Sequence, residues 1–210
     1  MVRSLLAAIC ALSVAQLGAA QHVLDLTRTV EESTEKEQSL SGGGCAGGSE
    51  GEAPREVSLE IALQKLDRAD YTLGSRVVFD VFLRNSGSIP VTFPWLDKAG
   101  AEEVDSKSLV EAFISLRTTD DQAREHSLTA VRLQGSPTQP ESVRVLEPGE
   151  TAMIRVPGWL IHDERAARSL VGEKGREAPF YAAVMMSDTP CRWSRAIRSA
   201  PINVWLSSGR

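Results

Sequence analysis

The chain has 210 residues, a length that predicts one domain with tails, because a single hydrophobic core grows efficiently up to about 250 residues. Its formal charge is -5 with the histidines neutral. Nucleic-acid binding depends on clustered Lys and Arg, so this charge argues against a nucleic-acid partner. The local exception is the set Arg192, Arg195 and Arg198, for which a solvated strand face or loop is the simpler explanation.

Residues 1–20 predict an export signal that is removed from the mature protein. Arg3 provides a positive charge, an apolar stretch runs from Leu5 to Leu17, and Gly18, Ala19 and Ala20 are the small residues that precede a cleavage bond. The apolar stretch is too short to remain as a membrane span. We therefore expect a secreted or periplasmic protein with no stable membrane span after cleavage.

Residues 21–54 predict a flexible, disordered arm. Acidic residues outnumber basic ones there, and the stretch from Gly43 to Gly48 consists almost entirely of small side chains. Such a segment buries too little apolar surface to offset its loss of conformational entropy. Thr29 followed by Glu32 is a capping-box pattern, which predicts a short frayed helix inside the arm.

Residues 55–207 predict a single all-β domain, because large apolar side chains recur at every second position. Pro90 and Pro94 place one strand at a sheet edge, since proline lacks the N–H that a central strand donates. Asp163 can cap a short helix that Gly172 closes. Without βαβ alternation, the pattern favours an immunoglobulin-like two-sheet sandwich. The predicted strands cover residues 57–63, 77–83, 89–96, 110–116, 128–133, 143–146, 151–156, 180–186 and 202–206, and the helix covers residues 163–171.

Three motifs resemble those of secreted bacterial Ig-like domains. The segment from Tyr71 to Asn85 resembles a Y-x-L-G-x-x-V hairpin whose strand ends in L-x-N. Leu146 to Glu150 is similar to an L-x-P-G-E turn, and Trp193 to Val204 is similar to a closing strand. Similar modules include adhesion-type repeats and domains related to an intracellular proteinase inhibitor. The resemblance implies an Ig-like fold over about residues 57–206 and supplies no catalytic residues.

Cys45 and Cys191 are the cysteines that remain once Cys10 leaves with the signal segment. An even pair in an exported chain predicts a disulfide, which would attach the Gly-rich arm to the last third of the domain. Two free thiols and an intermolecular bridge are the alternatives.

The sequence contains no complete catalytic motif, and we predict neither an enzyme nor a cofactor. A Cys–His nucleophile would require Cys191 beside His162 or His126. Copper would suit His162, Cys191 and one of Met185 and Met186, but the two methionines point to opposite faces of one strand. Packing in the core is the simpler role for Met186.

Trp95 and Trp205 form our predicted partner surface, because aromatic side chains are favoured at binding surfaces. Trp205 alternates out of phase with Val204 and Leu206, so we expect it on the face opposite to the core. The leading interpretation is a noncatalytic module that binds an unidentified protein or glycan. A proteinase inhibitor that presents the loop 97–108 is the second interpretation, and a copper-type envelope protein is the third.

Overall fold

The computed structural model of the protein describes residues 22–28, 58–97, 109–160, 170–171, 175–187 and 196–208. Strands dominate these residues and form several sheets, one of which is curled into a half-barrel. The prediction of a β-rich domain is confirmed. The strands are β1 (His22–Asp25), β2 (Leu59–Leu66), β3 (Asp70–Thr72), β4 (Arg76–Asn85), β5 (Val91–Pro94), β6 (Leu96–Asp97), β7 (Val110–Thr119), β8 (Glu125–Gly135), β9 (Val143–Leu146), β10 (Thr151–Trp159), β11 (Arg176–Ser187), β12 (Ile197–Arg198) and β13 (Ile202–Ser207).

The described strands are arranged in a four-stranded, a seven-stranded and a two-stranded sheet. The four-stranded sheet has the order β1-β10-β4-β2, and β5 pairs with β9 in the small sheet. The seven-stranded sheet has the order β3-β13-β11-β7-β8-β6, with β12 also paired to β11. Neighbours are antiparallel except for two parallel pairs, β1 with β10 and β3 with β13. Buried side chains from the two larger sheets join in one hydrophobic cluster, which is the core.

Residues 22–28, at the start of the predicted arm, pair with the folded domain. β1 pairs with β10 from His22 opposite Ala152 to Asp25 opposite Arg155. Leu26, in the 3-10 turn that follows β1, is only 1% exposed. Burial of Leu26 stabilises the attachment of this segment to the domain. Residues 29–54 lie outside the described part of the chain.

A β-bulge in β2 interrupts the period-two pattern that predicted this strand. Leu63 pairs with Val81, but the next partner of β4 is Lys65, so Gln64 is the extra residue of the bulge. The shift turns Leu66 back toward the core, where it packs against the hydrophobic cluster. In β4 the predicted core residues are all buried, namely Val77, Phe79, Val81 and Leu83.

Asn85, at the end of β4, holds the adjacent loops together. Its Nδ2 donates hydrogen bonds of 2.8 Å to the carbonyl oxygens of Ile89 and Leu146, and its Oδ1 accepts one of 2.9 Å from Gly87 N. Gly149 has a φ of 85° in the turn after β9, where its N–H donates to the carbonyl of Asn85. The two motifs that contain Asn85 and Gly149 therefore meet in space.

Several strands are longer than predicted. β8 begins at Glu125 and β10 continues to Trp159, because polar side chains on the outer face of a sheet do not prevent strand pairing. Of the predicted helix, only Leu170 and Val171 are described, and both are buried.

Candidate interaction surface

The predicted site residues do not come together in the described part of the chain. Cys45, Cys191 and His162 lie outside it, so the disulfide and the Cys–His pair stay predictions. Trp205 is on the outward side of β13 and is 47% exposed, as expected from the strand period. Trp95 is only 6% exposed and belongs to the hydrophobic cluster, so it offers almost no surface to a partner.

Trp95 is buried because it fills the space between the small sheet and β1. Its backbone N–H donates to the carbonyl of Ser142 over 2.9 Å. Its ring meets His22 edge-on with 6.3 Å between ring centres, and the Arg144 guanidinium lies 5.8 Å from its ring centre. The sequence could not reveal this position, because the contact depends on the N-terminal strand β1.

Met185 and Met186, considered as alternative copper ligands, lie on opposite faces of β11, as the strand period requires. Met186 is buried in the hydrophobic cluster, whereas Met185 is half-buried on the other face. Within the described residues, no group of three or more His, Cys, Asp or Glu side chains could hold a metal ion. The same part of the chain contains no helix long and apolar enough to span a bilayer.

An Asp–His pair occurs in the hairpin between β7 and β8, where it stabilises the turn. His126 Nε2 lies 3.0 Å from Asp120 Oδ2, and the same carboxylate accepts hydrogen bonds from Gln122 N, Arg124 N and Arg124 Nε. The hydrogen bond from His126, followed by those from Arg124 and Gln122, holds the pKa of Asp120 well below its usual value. Thr118, opposite His126 in the ladder, is fully buried, so it offers no accessible nucleophile.

Ion pairs occupy one part of the outer face of the seven-stranded sheet. Glu125 binds Arg198 Nη1 at 2.7 Å and Arg117 Nη1 at 3.4 Å. Tyr181 lies between these groups and is buried. Burial, followed by the charge of Glu125, raises the pKa of the Tyr181 hydroxyl. This part of the face therefore presents charged groups rather than apolar surface.

The outer face of the four-stranded sheet differs, because a row of apolar side chains crosses all four strands. Val23 in β1 is opposite Met153 in β10, Met153 is opposite Phe82 in β4, and Phe82 is opposite Ala62 in β2. Val23 is 57% exposed, and the other three are partly exposed. We call these four residues the apolar row. Their neighbours along each strand point into the core, which fixes the row on the outside.

A row of charged residues runs beside the apolar row. Each charged residue is two positions from the apolar residue of its strand, or three positions in β2 because of the bulge. It contains Asp25, Arg155, Asp80 and Lys65, in the order of the strands across the sheet. Arg155 binds Asp80 through two hydrogen bonds, Nε to Oδ1 at 2.8 Å and Nη2 to Oδ2 at 3.0 Å. These hydrogen bonds, and then the charge of Asp80, raise the pKa of Arg155. We call this set the charged row.

Two more cross-strand pairs extend this face beyond the charged row. Pro157, which is buried, is opposite the half-buried Val78, and Trp159, 52% exposed, is opposite Arg76. Proline is tolerated at position 157 because the pairing of β1 stops at Arg155, so no partner strand needs its N–H. The apolar row, the charged row and these two pairs together make the outer face, our candidate interaction surface.

Sequence reasoning missed the outer face for two reasons. Val23 was assigned to the arm, and Trp159 was placed after the predicted end of its strand. The remaining members alternate with the residues predicted to be buried, and the sequence pattern predicted no role for them. The signal that could have found the face is the pair Phe82 and Met153, large apolar residues at positions that alternate with a buried set.

Comparisons with known proteins identify no family for the chain. No family model matches it, and no curated protein matches it. Solved structures give distant matches to a β-rich domain. Spo0M, a sporulation control protein from Bacillus subtilis, is 11% identical with a TM-score of 0.36, and the match covers 72% of this chain and 50% of Spo0M. A putative late embryogenesis abundant protein is 15% identical with a TM-score of 0.32, and the match covers 71% of this chain and 72% of that protein. The chain thus matches about half the length of Spo0M.

Proposed function

We propose that this protein is an exported, noncatalytic module that binds a protein partner through the outer face of its four-stranded sheet. The observation that carries the proposal is the apolar row. A contiguous set of exposed apolar side chains on a folded domain is typical of a surface that another protein covers. The predicted export signal supports a function outside the cytoplasm.

The composition of the outer face supports a protein partner over a glycan. Protein interfaces are enriched in Met, Arg and aromatic residues. Met153, Phe82, Trp159, Arg76 and Arg155 provide all three kinds on one face. The ion pair between Arg155 and Asp80 is already satisfied within the domain, so an approaching partner meets few groups that would lose water without compensation.

The finer form of the fold belongs to this proposal. An immunoglobulin-like sandwich is supported by one hydrophobic cluster that both larger sheets share and by the order of the three motifs. In such sandwiches the inner faces form the core and a sheet face or an edge remains available to partners.

The test compares Met153→Lys with Met185→Lys. Both methionines are half-buried on outward sides of strands, but Met153 is on the outer face and Met185 is on the seven-stranded sheet. A photo-crosslinking residue placed at Val23 reports contact with partners in extracts of the native compartment. We expect Met153→Lys to abolish a saturable crosslink that Met185→Lys preserves. Equal loss or equal retention in the two variants would refute the assignment of this face.

A further inference from the structure

We propose that the partner of the outer face is a second copy of this chain, docked face to face about a twofold axis that is parallel to the strands. This inference rests on the proposed function of the outer face. A twofold interface requires a surface that is complementary to itself, so that residue i meets j and residue j meets i. The charges and side-chain sizes of the outer face meet this requirement.

The charged row is complementary to its own reverse. Across the sheet it reads Asp25, Arg155, Asp80 and Lys65, which alternates negative and positive. A twofold axis along the strands reverses the order of strands in the facing copy. Asp25 then meets Lys65 of the other copy, once at each end of the row. Asp80 is only 6% exposed and stays bound to Arg155 of its own copy, so these internal pairs form the middle of the row.

The remaining rows are also compatible with this reversal. Met153 in the second strand position faces Phe82 in the third, a pair of large apolar groups, whereas the exposed Val23 faces the small Ala62. Large groups thus meet in the middle, and the row ends are filled by one larger and one small side chain. The same axis therefore brings the apolar rows of the two copies together, beside their charged rows.

At the far end of the outer face, the reversal joins an aromatic ring to a cation. Trp159 of one copy faces Arg76 of the other, because the two are opposite each other in β10 and β4. A guanidinium over an indole ring is a favourable contact, and it accounts for an exposed tryptophan at this position. In the row between, Val78 is half-buried and Pro157 opposite it is buried, so this row adds little contact area.

Substitutions that reverse the charge of Asp25 or Lys65 distinguish contacts between two copies from contacts within one copy. Asp25 and Lys65 lie on the two edge strands, about 14 Å apart across three strand spacings, so they do not pair inside one domain. Lys65→Glu places two negative charges at each row end of the dimer. Asp25→Lys places two positive charges there. A mixture of the two variants restores opposite charges at both ends.

The experiment is sedimentation of the full protein over a range of concentrations, with intact mass recording the processed form. We expect a dimer whose dissociation constant rises about tenfold or more for Lys65→Glu. Gln122→Glu, in the hairpin of the other sheet, is the control and should leave it unchanged. The mixture of Asp25→Lys and Lys65→Glu should form heterodimers more tightly than either variant forms homodimers.

A second variant protects the test against a folding defect. Asp25 Oδ1 accepts hydrogen bonds from Thr27 N and Thr27 Oγ1, so a lysine at position 25 can disturb the turn. Asp25→Asn keeps the acceptor and removes the charge. When it is combined with Lys65→Glu, the dissociation constant of the dimer should be at least threefold lower than for Lys65→Glu alone.

Two results would overturn the inference. The first is a wild-type protein that stays monomeric up to about 1 mM. The second is self-association that Lys65→Glu and the variant mixture leave unaltered. A monomer whose crosslink to another protein is still lost on Met153→Lys would refute the second copy and preserve the proposed function. A monomer with no crosslink sensitive to Met153→Lys would refute both.

Discussion

Replacing Leu26 tests whether the N-terminal segment is part of the folded domain in solution. Leu26 is almost fully buried, and its 3-10 turn lies against β10. Leu→Ala at a buried site costs about 2–5 kcal/mol. β1 pairs over only four residues, so its local detachment can limit the loss. We therefore expect Leu26→Ala to lower the free energy of unfolding by about 2–3 kcal/mol.

The assay is urea unfolding followed by tryptophan fluorescence, with circular dichroism as a second probe. For a urea m-value of about 2 kcal/mol/M, the expected loss moves the midpoint down by roughly 1–1.5 M. Val23→Ala is the matched control, since Val23 is in the same segment but is exposed; we expect a change below about 0.5 kcal/mol. Equal and small effects of both substitutions would show that β1 is not docked, and would remove Val23 and Asp25 from the outer face.

Three further predictions test the fold. Asn85→Ala should cost about 3 kcal/mol in the same urea assay, because it leaves the buried carbonyl of Leu146 without its donor; a loss below about 1 kcal/mol would contradict this. Gly135→Ala should cost about 2 kcal/mol or more, since a Cβ there would collide with the Ser142 carbonyl, and an unchanged midpoint would refute that packing. The lowered pKa of Asp120 stabilises the fold above the ordinary carboxyl pKa, so wild type should exceed Asp120→Asn in stability at pH 7 and lose this advantage as the pH falls below about 4. A stability difference independent of pH would contradict the carboxylate's role.

The alternation of apolar residues predicted much of the fold because strand faces impose a period of two on any half-buried sheet. The alternate apolar residues from Val77 to Leu83 in β4 and from Val110 to Leu116 in β7 are buried, as that pattern requires. The bulge at Gln64 was not predictable, because an extra residue in one strand leaves no mark in composition. β1 was missed because four residues next to an acidic, Gly-rich stretch carry too short a pattern.

The candidate surface could be predicted only in part, because it depends on the register between strands that are distant in sequence. Phe82 and Met153 are 71 positions apart in the chain but are direct neighbours across β4 and β10. Single-strand periodicity identifies the outward side of each, but it does not say which outward residues become neighbours. Trp205 is exposed, as its strand position predicts. Trp95, the other residue of the predicted partner surface, is buried, and its burial depends on the small sheet and His22.

Hydroxyl-radical footprinting at increasing protein concentration tests the central claim most directly. Met153 and Trp159 are oxidisable side chains on the outer face, and Trp205 is an exposed reference on the other sheet. We predict that oxidation of Met153 and Trp159 slows as the protein concentration rises, while oxidation of Trp205 keeps a constant rate. Constant rates at all three residues, or protection of Trp205 instead, would contradict an interaction through the outer face.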